Sequence, residues 1–154
     1  MKRGMVVVLA AATSLLAGPV AAQSAESEAL AVVQRLFDGM RTRDTVLLRS
    51  VFAADARMLT VLTPRGVPPL AYSSADEFVR IVGSATGPAW DERIHDTEVR
   101  VDGTLAAVWA PYDFYLGERF SHCGVDAVHL AKTAEGWKIV GLADTQRREG
   151  CQGK

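Results

Sequence analysis

Apolar residues at helical spacing dominate the first part of the chain. In segment 24–44, one face of an amphipathic helix is predicted to carry Leu30, Val33, Leu36, Phe37 and Met40. A short helix over 44–52 should follow, capped by Asp44. A third helix is predicted to begin at Ser74, which forms a capping box with Glu77.

Elsewhere the apolar period is close to two, which is typical of β-strands. Strands are predicted over 56–64 and, at an edge, 68–74, followed by four long strands over 91–102, 105–116, 120–132 and 136–144. The Asp102-Gly103 pair, Gly117 and Gly136 provide the turns between the long strands. Early helices followed by successive hairpins predict an α+β domain with N-terminal helices packed on a mostly antiparallel sheet.

The first 22 residues have the features of a secretory signal peptide. A basic start at Lys2 and Arg3 precedes an apolar run over 5–17, and a Gly18-Pro19 break is followed by small residues that end in Val20-Ala21-Ala22. The run is too short for an ordinary membrane helix, so no membrane span is expected after cleavage. This organisation predicts a signal peptide over 1–22, a single domain over 23–154, and a periplasmic or secreted location.

Charge and motif content narrow the classes of partner. Removing Lys2 and Arg3 lowers the formal net charge from −1 to −3, and no basic cluster suits nucleic acid. The chain contains no nucleotide-binding or nucleophile-elbow motif, and two cysteines without a matching histidine pattern do not indicate zinc. We therefore expect no nucleic-acid partner, no metal and no cofactor.

Both cysteines, Cys123 and Cys151, follow the signal peptide. In an oxidising compartment a disulfide between them is the simplest expectation. The hairpin before the C-terminal tail also brings the two positions near each other. A buried free Cys123 with an exposed Cys151, or an intermolecular bridge through Cys151, are the alternatives.

Several stretches resemble the nuclear transport factor 2-like superfamily, which includes ketosteroid isomerase and the SnoaL-like cyclases. The similarity lies in "LFDGMRTRDTVLLRSVFAADA", "VDGTLAAVWAPYDFYLG" and "SHCGVDAVHLAKTAEGWKIVGLADT". These stretches are closest to exported bacterial members labelled putative lumazine-binding. The resemblance implies a cone-shaped fold with a strongly curved sheet. It carries over no catalytic residue, because the isomerase and cyclase motifs have no matching positions here.

Hairpin geometry gives a hypothesis for a ligand site. Two-residue turns at Asp102-Gly103 and Gly117-Glu118 would place Asp96 and Asp126 opposite Trp109, and His122 opposite Asp113. A bulge near Ala110-Pro111 would exchange the faces beyond it. Without one, a single surface collects the candidate ligand-binding residues Asp96, Trp109, Asp113, Tyr115, His122 and Asp126.

The same surface contains the parts for acid/base chemistry. An aspartate beside a histidine fixes the imidazole tautomer and raises its pKa, which makes Asp113, His122 and Asp126 the candidate catalytic residues. A solvated His/Asp ion pair on the outer face is the alternative. For Trp109, core packing is the alternative to ligand contact.

Three functions fit these residues. The first is an exported protein that binds a small organic molecule in the cone and dimerises through the outer face of its sheet. The second is an acid/base enzyme of the isomerase, cyclase or hydratase type that uses an Asp/His pair. The third is an interaction protein with a filled cone. Burial of the aspartates and of His122 in a ligand-sized cavity would separate the first two from the third.

Overall fold

The computed structural model describes residues 19–62 and 70–153. Residues 1–18 of the predicted signal peptide lie outside this range. Three helices occur at the predicted positions: α1 (Pro19–Thr42), α2 (Thr45–Val51) and α3 (Ala75–Ser84). Within the described ranges, no helix has the length and apolar character that a membrane crossing requires.

Both predicted helix caps are present. The Asp44 carboxylate accepts hydrogen bonds from the backbone N–H groups of Val46 and Leu47, at 3.0 and 2.9 Å. The Ser74 hydroxyl accepts one from the Glu77 N–H at 3.1 Å. These contacts satisfy N–H groups that would otherwise lack partners at a helix start, and they confirm the capping predictions.

Seven strands form one mixed, curved sheet that does not close. They are β1 (Phe52–Leu62), β2 (Leu70–Ser74), β3 (Trp90–Ile94), β4 (Glu98–Asp102), β5 (Leu105–Leu116), β6 (Arg119–Thr133) and β7 (Gly136–Arg147). The order is β2-β1-β7-β6-β5-β3, and β4 also pairs with β5. Only the β1–β7 pair is parallel among these strands. The α+β prediction of helices on a mostly antiparallel sheet is confirmed.

The prediction of a single strand over 91–102 is wrong. The extended conformation is interrupted between β3 and β4, where Asp96 adopts a positive φ of 46° that no extended strand allows. The hairpin register also differs, because Asp102 pairs with Leu105 and the turn residues are Gly103 and Thr104. Glu98, not Asp96, is therefore opposite Trp109.

A second correction concerns the β5–β6 hairpin. Leu116 pairs with Arg119 and Tyr115 with Phe120, as predicted, but Phe114 pairs with His122. Ser121 is therefore the extra residue of a bulge, and every residue of β6 beyond it moves by one register position. The bulge lies closer to the turn than the expected position near Ala110-Pro111. As a result His122 faces Phe114, and Asp113 faces Cys123.

The bulge determines which side chains point into the cone. Beyond it, even-numbered positions of β5 and β6 lie on the concave face, where Ala110, Asp126 and Asp144 form one cross-strand row. A second register shift, between His129 and Leu130 of β6, leaves Val140 of β7 unpaired, so Ile139 before it and Leu142 after it both lie on this face. The hydrophobic core lies between this face and the helices and includes Leu36, Leu48, Val108, Val128, Leu130 and Ile139. The intervening positions, including Trp109, lie on the outer face.

Candidate functional site

A cavity of about 500 Å³ lies between the helices and the concave face of the sheet. Its wall is mainly apolar and contains five aromatic residues, Phe37, Phe78, Trp90, Tyr112 and Phe114. Its polar side chains are Thr60, Ser73, Glu92, His122, Asp126, Asp144 and Gln146. Apolar walls with a few converging polar groups are typical of small-molecule sites.

Three carboxyl groups from different strands converge in this cavity. Asp126 on β6 is only 2% exposed and pairs across the sheet with Asp144 on β7. Glu92 on β3 is close enough to hydrogen-bond with Asp126. Asp144 accepts a hydrogen bond of 2.7 Å from the Thr60 hydroxyl. The cavity therefore concentrates three acidic groups, of which Asp126 is buried and Glu92 and Asp144 are partly exposed.

Burial makes these carboxyl groups hard to ionise. It raises the pKa of Asp126 to about 7, with a further increase from the charge of Asp144 and an opposing hydrogen bond from Glu92. Burial also raises the pKa of Glu92 well above its usual range, and the neighbouring Asp126 charge adds to that effect. Burial also raises the pKa of Asp144, and the hydrogen bond from Thr60 offsets part of this increase. Glu92 and Asp126 therefore hold a proton between them near neutral pH.

His122 projects into the same cavity from β6. Its ring is stacked on Phe114, with 4.7 Å between the ring centroids and 23° between the planes. Its Nδ1 lies 3.1 Å from the Ser121 hydroxyl. Burial lowers the pKa of His122, and the positive charge of Arg148 lowers it further. The imidazole is therefore neutral at pH 7 and is able to accept a proton.

Tyr112 also lines the cavity, beside these groups. Its hydroxyl donates a hydrogen bond of 2.9 Å to the Thr145 carbonyl, and burial raises its pKa. The ring packs against Gly124, at a point where a β-carbon would lie 2.6 Å from a Tyr112 ring carbon. Gly124 therefore allows the ring to lie against the backbone of β6.

Four of the predicted ligand-binding residues lie outside the cavity, so the prediction that all six share one surface is wrong. Asp96 is in the exposed break between β3 and β4, and Trp109 is 53% exposed on the outer face. The Tyr115 ring lies 4.2 Å below the Arg93 guanidinium group. Trp109 does not fill the core either. Of the six predicted residues, only His122 and Asp126 line the cavity.

Asp113 is buried on the opposite side of the sheet. It is 7% exposed, and its Oδ2 lies 3.8 Å from the Nε2 atom of His95. The C-terminal tail lies over it, near Cys151 and Gly153. The Asp113/His122 dyad expected from the hairpin register is therefore absent from the described structure, because the bulge at Ser121 turns the two side chains to opposite faces.

Glu92 and Asp144 were not among the site residues predicted from the sequence. Each alternates with apolar cavity residues, Glu92 with Trp90 and Asp144 with Leu142, so each lies on an inward-facing strand position. This alternation is the signal that could have identified them. The predicted surface did not reveal it, because that surface included no residue of β3 or β7.

The predicted disulfide is confirmed. Cys123 and Cys151 are bonded to each other, with 5.7 Å between their Cα atoms. The bond attaches the tail to the outer face, behind the cavity wall formed by His122. Neither cysteine is free.

Within residues 19–62 and 70–153, no group of three or more histidine, cysteine, aspartate or glutamate side chains is arranged to hold a metal ion.

Comparison with known proteins identifies the family. The family model described as "Putative lumazine-binding" matches residues 24–142. The chain belongs to this putative lumazine-binding family. The match covers most of α1, all of α2 and α3, and the sheet as far as Leu142, and it leaves Asp144 and Gln146 of the cavity outside. The predicted membership in the nuclear transport factor 2-like superfamily is confirmed. No curated protein matches the chain.

Solved structures have the same fold at low sequence identity. A protein of unknown function from Mycobacterium tuberculosis has a TM-score of 0.69 and 18% identity, covering 88% of this chain and 79% of that one. The β subunit of a putative aromatic-ring-hydroxylating dioxygenase from Novosphingobium aromaticivorans has a TM-score of 0.67 and 14% identity, covering 82% and 91%. A putative dehydratase of the NTF2-like family from Streptomyces avermitilis has a TM-score of 0.64 and 17% identity, covering 81% and 97%. These similarities concern the fold alone.

Proposed function

We propose that this member of the putative lumazine-binding family is an exported protein that binds a small aromatic or heterocyclic molecule inside its cone. The observation that carries the proposal is the cavity of about 500 Å³ with aromatic walls and converging polar groups. This volume lies within the usual range of small-ligand pockets. A filled cone, as in the third function suggested by the sequence, would leave no such space.

Export is supported by two features. The leader over 1–22 has the order of basic, apolar and small residues that signal peptidases recognise. The Cys123–Cys151 disulfide fits an oxidising compartment such as the periplasm or the extracellular space. Mass spectrometry of the protein from its native host should find Gln23 at the N-terminus, and an intact leader would contradict the proposal.

Binding can be tested with two fluorescent probes of suitable size, lumazine and the neutral dye N-phenyl-naphthylamine. Trp90 lines the cavity and packs edge-on against Phe114, with 6.4 Å between the ring centroids. Trp90→Ala should weaken the binding of a probe held in the cone about tenfold or more, because it removes a large part of the aromatic wall.

Trp109→Ala is the matched control, since this tryptophan is exposed on the outer face. It should leave the affinity within about twofold of the original value. Circular dichroism should establish that both variants remain folded. Failure of both probes to bind the original protein, or equal losses in the two variants, would contradict a site in the cone.

A second candidate function is proton transfer, favoured by the Asp126 pKa of about 7 beside Glu92. A carboxyl group with this pKa can accept and return a proton near neutral pH. Neutral His122 provides a further proton acceptor in the same cavity. Asp113, included among the candidates from the sequence, lies on the other side of the sheet.

An isomerase-type reaction would begin with removal of a proton next to a carbonyl group. We would measure deuterium incorporation into a panel of small cyclic ketones by NMR. Asp126→Asn should abolish exchange, whereas Asp113→Asn should preserve it. Exchange that persists in the Asp126 variant would assign the chemistry elsewhere, and no exchange in the original protein would leave binding as the better-supported function.

The proposed homodimer would use the outer face of the sheet. Trp109 and Leu105 are large apolar side chains exposed there, and Trp109 lies in a cross-strand row with Ala127 and Ala143. A tryptophan between small residues can pack closely against a second copy. Light scattering of the original protein should give twice the monomer mass, and Trp109→Arg should reduce the measured mass to that of the monomer. A monomeric original protein would contradict the dimer.

A further inference from the structure

The described cavity lining has an excess of acidic groups. Glu92, Asp126 and Asp144 line it, and no lysine or arginine is among its described lining residues. The histidine, His122, is kept neutral by burial and by the nearby Arg148. The ionised carboxyl groups would therefore repel a negatively charged ligand, whereas a positive charge on the ligand would relieve the repulsion among them.

One carboxyl oxygen in this cluster lacks a donor. Asp126 is 2% exposed, and no N–H or hydroxyl group of the described residues donates a hydrogen bond to its Oδ2 atom. The Glu92 carboxyl group shares a proton with Asp126 but is itself an acidic group, not a fixed donor. A buried acceptor without a donor is costly, so such an atom in a cavity wall is suited to a ligand N–H group. Asp144 differs, because the Thr60 hydroxyl already donates to it.

The aromatic wall favours the same kind of ligand. Trp90, Tyr112 and Phe114 line the cavity together with the carboxyl cluster, and Glu92 pairs directly with Phe114 across β3 and β5. The faces of aromatic rings attract cations, most strongly where water is excluded. Ring surfaces beside unpaired carboxyl groups are thus complementary to a flat cation.

We propose that the ligand of the cone is an aromatic organic cation, such as a protonated aromatic amine or nitrogen heterocycle. Its N–H groups face Glu92 and Asp126, and its ring lies against the aromatic wall. This inference rests on the proposed binding function, because it assigns a chemical class to the ligand of the same cavity.

Three quinolines that differ in one substituent provide the test. 4-Aminoquinoline is a cation at neutral pH, 4-methylquinoline is neutral and has nearly the same shape, and quinoline-4-carboxylate is an anion. Isothermal titration calorimetry should give the order amino, methyl, carboxylate, with at least a roughly tenfold preference for the amino over the methyl compound.

The pH dependence gives a second measurement. The groups that face Asp126 are Glu92, Tyr112, His122 and Asp144. Affinity for 4-aminoquinoline should increase as pH rises from about 5 to 7, and binding should release protons, because the cation favours ionised carboxyl groups. Affinity for 4-methylquinoline should change much less within this pH range once its own ring nitrogen has lost its proton.

The double variant Glu92→Gln/Asp126→Asn removes both charges with little change in shape. It should abolish the preference for the cation and retain binding of 4-methylquinoline within about twofold. Asp113→Asn, a buried aspartate on the other side of the sheet, is the matched control and should retain the preference. If thermal unfolding shows that the double variant does not fold, Glu92→Gln alone should reduce the preference.

The outcomes separate the two proposals. Equal or tighter binding of the methyl compound or the carboxylate would overturn the cation assignment and preserve binding in the cone. An unchanged preference in a folded double variant would also overturn it. Absence of binding by all three quinolines, together with the failure of lumazine and the neutral dye, would overturn the proposed function and the cation assignment with it.

Discussion

Asp126 and Asp144 are directly opposite each other on β6 and β7, on the concave side of the sheet. Two carboxylates at paired positions repel each other, so a purely structural sheet would not be expected to place them there. Burial of Asp126 increases the unfavourable effect, because little water is available to screen its charge. This pair is consistent with a site that was selected for binding or chemistry at some expense of stability.

The first prediction concerns stability and pH. The folded-state pKa of Asp126, about 7, is above its unfolded value, so the folded state binds the proton more tightly. Stability from this group is fully present below about pH 4 and is lost as pH rises to about 7.

Asp126→Asn should therefore increase the free energy of unfolding by roughly 1–3 kcal/mol at pH 8. The gain should disappear near pH 4, where the aspartate is neutral. Urea denaturation at the two pH values measures both effects. Asp102→Asn, in an exposed position at a hairpin, is the control and should have little effect at either pH. A loss of stability at pH 8 in the Asp126 variant would contradict the burial argument.

The second prediction concerns the protonation of His122. Its pKa is lowered first by burial and then by the charge of Arg148, so it should titrate below the ordinary value of 6.5. NMR titration of the imidazole resonances in the original protein tests this directly. Arg148→Gln should raise the pKa slightly, since burial remains. A His122 pKa above 6.5 would mean that the carboxyl groups of the cavity dominate its environment.

The third prediction compares two strand glycines. A β-carbon at Gly124 would overlap the Thr145 carbonyl oxygen and lie 2.6 Å from a Tyr112 ring carbon, whereas at Gly141 the nearest atom is 3.8 Å away. Gly124→Ala should destabilise the protein by about 3 kcal/mol or more, because backbone atoms must move. Gly141→Ala should have little effect. Thermal unfolding of both variants checks this, and similar melting temperatures would contradict the close contact.

The fourth prediction concerns the disulfide. Cys123 and Cys151 are 28 positions apart, and in the chain-entropy model a bridge closing such a loop stabilises the fold by about 3–4 kcal/mol. Cys123→Ala/Cys151→Ala should lose a comparable free energy of unfolding in urea, and reductant should then have no further effect. Thiol counting on the unfolded, unreduced original protein should give no free thiol. Two free thiols in material from an oxidising compartment would contradict the bridge.

The sequence alone was sufficient to predict the three helices, most of the strands and the fold class of this protein. Local signals were sufficient for this, because Asp44 and Ser74 mark helix starts and the period of the apolar residues separates helix from strand. It also favoured the disulfide over a free Cys123 or an intermolecular bridge, since the chain has two cysteines and one hairpin brings them together. Of the residues that it predicted for the site, His122 and Asp126 line the cavity.

Only the tertiary structure decided which of these residues meet. The extra residue Ser121 in β6 and the positive φ of Asp96 each shift a register, and a shift of one position turns a side chain to the other face of a sheet. Asp113 and Trp109 therefore lie outside the cone, whereas Glu92 and Asp144 lie within it. Strand period is a local property of the chain, but the pairing of strands depends on bulges and turns whose cost is set by packing elsewhere, so the site could not be assembled from the sequence.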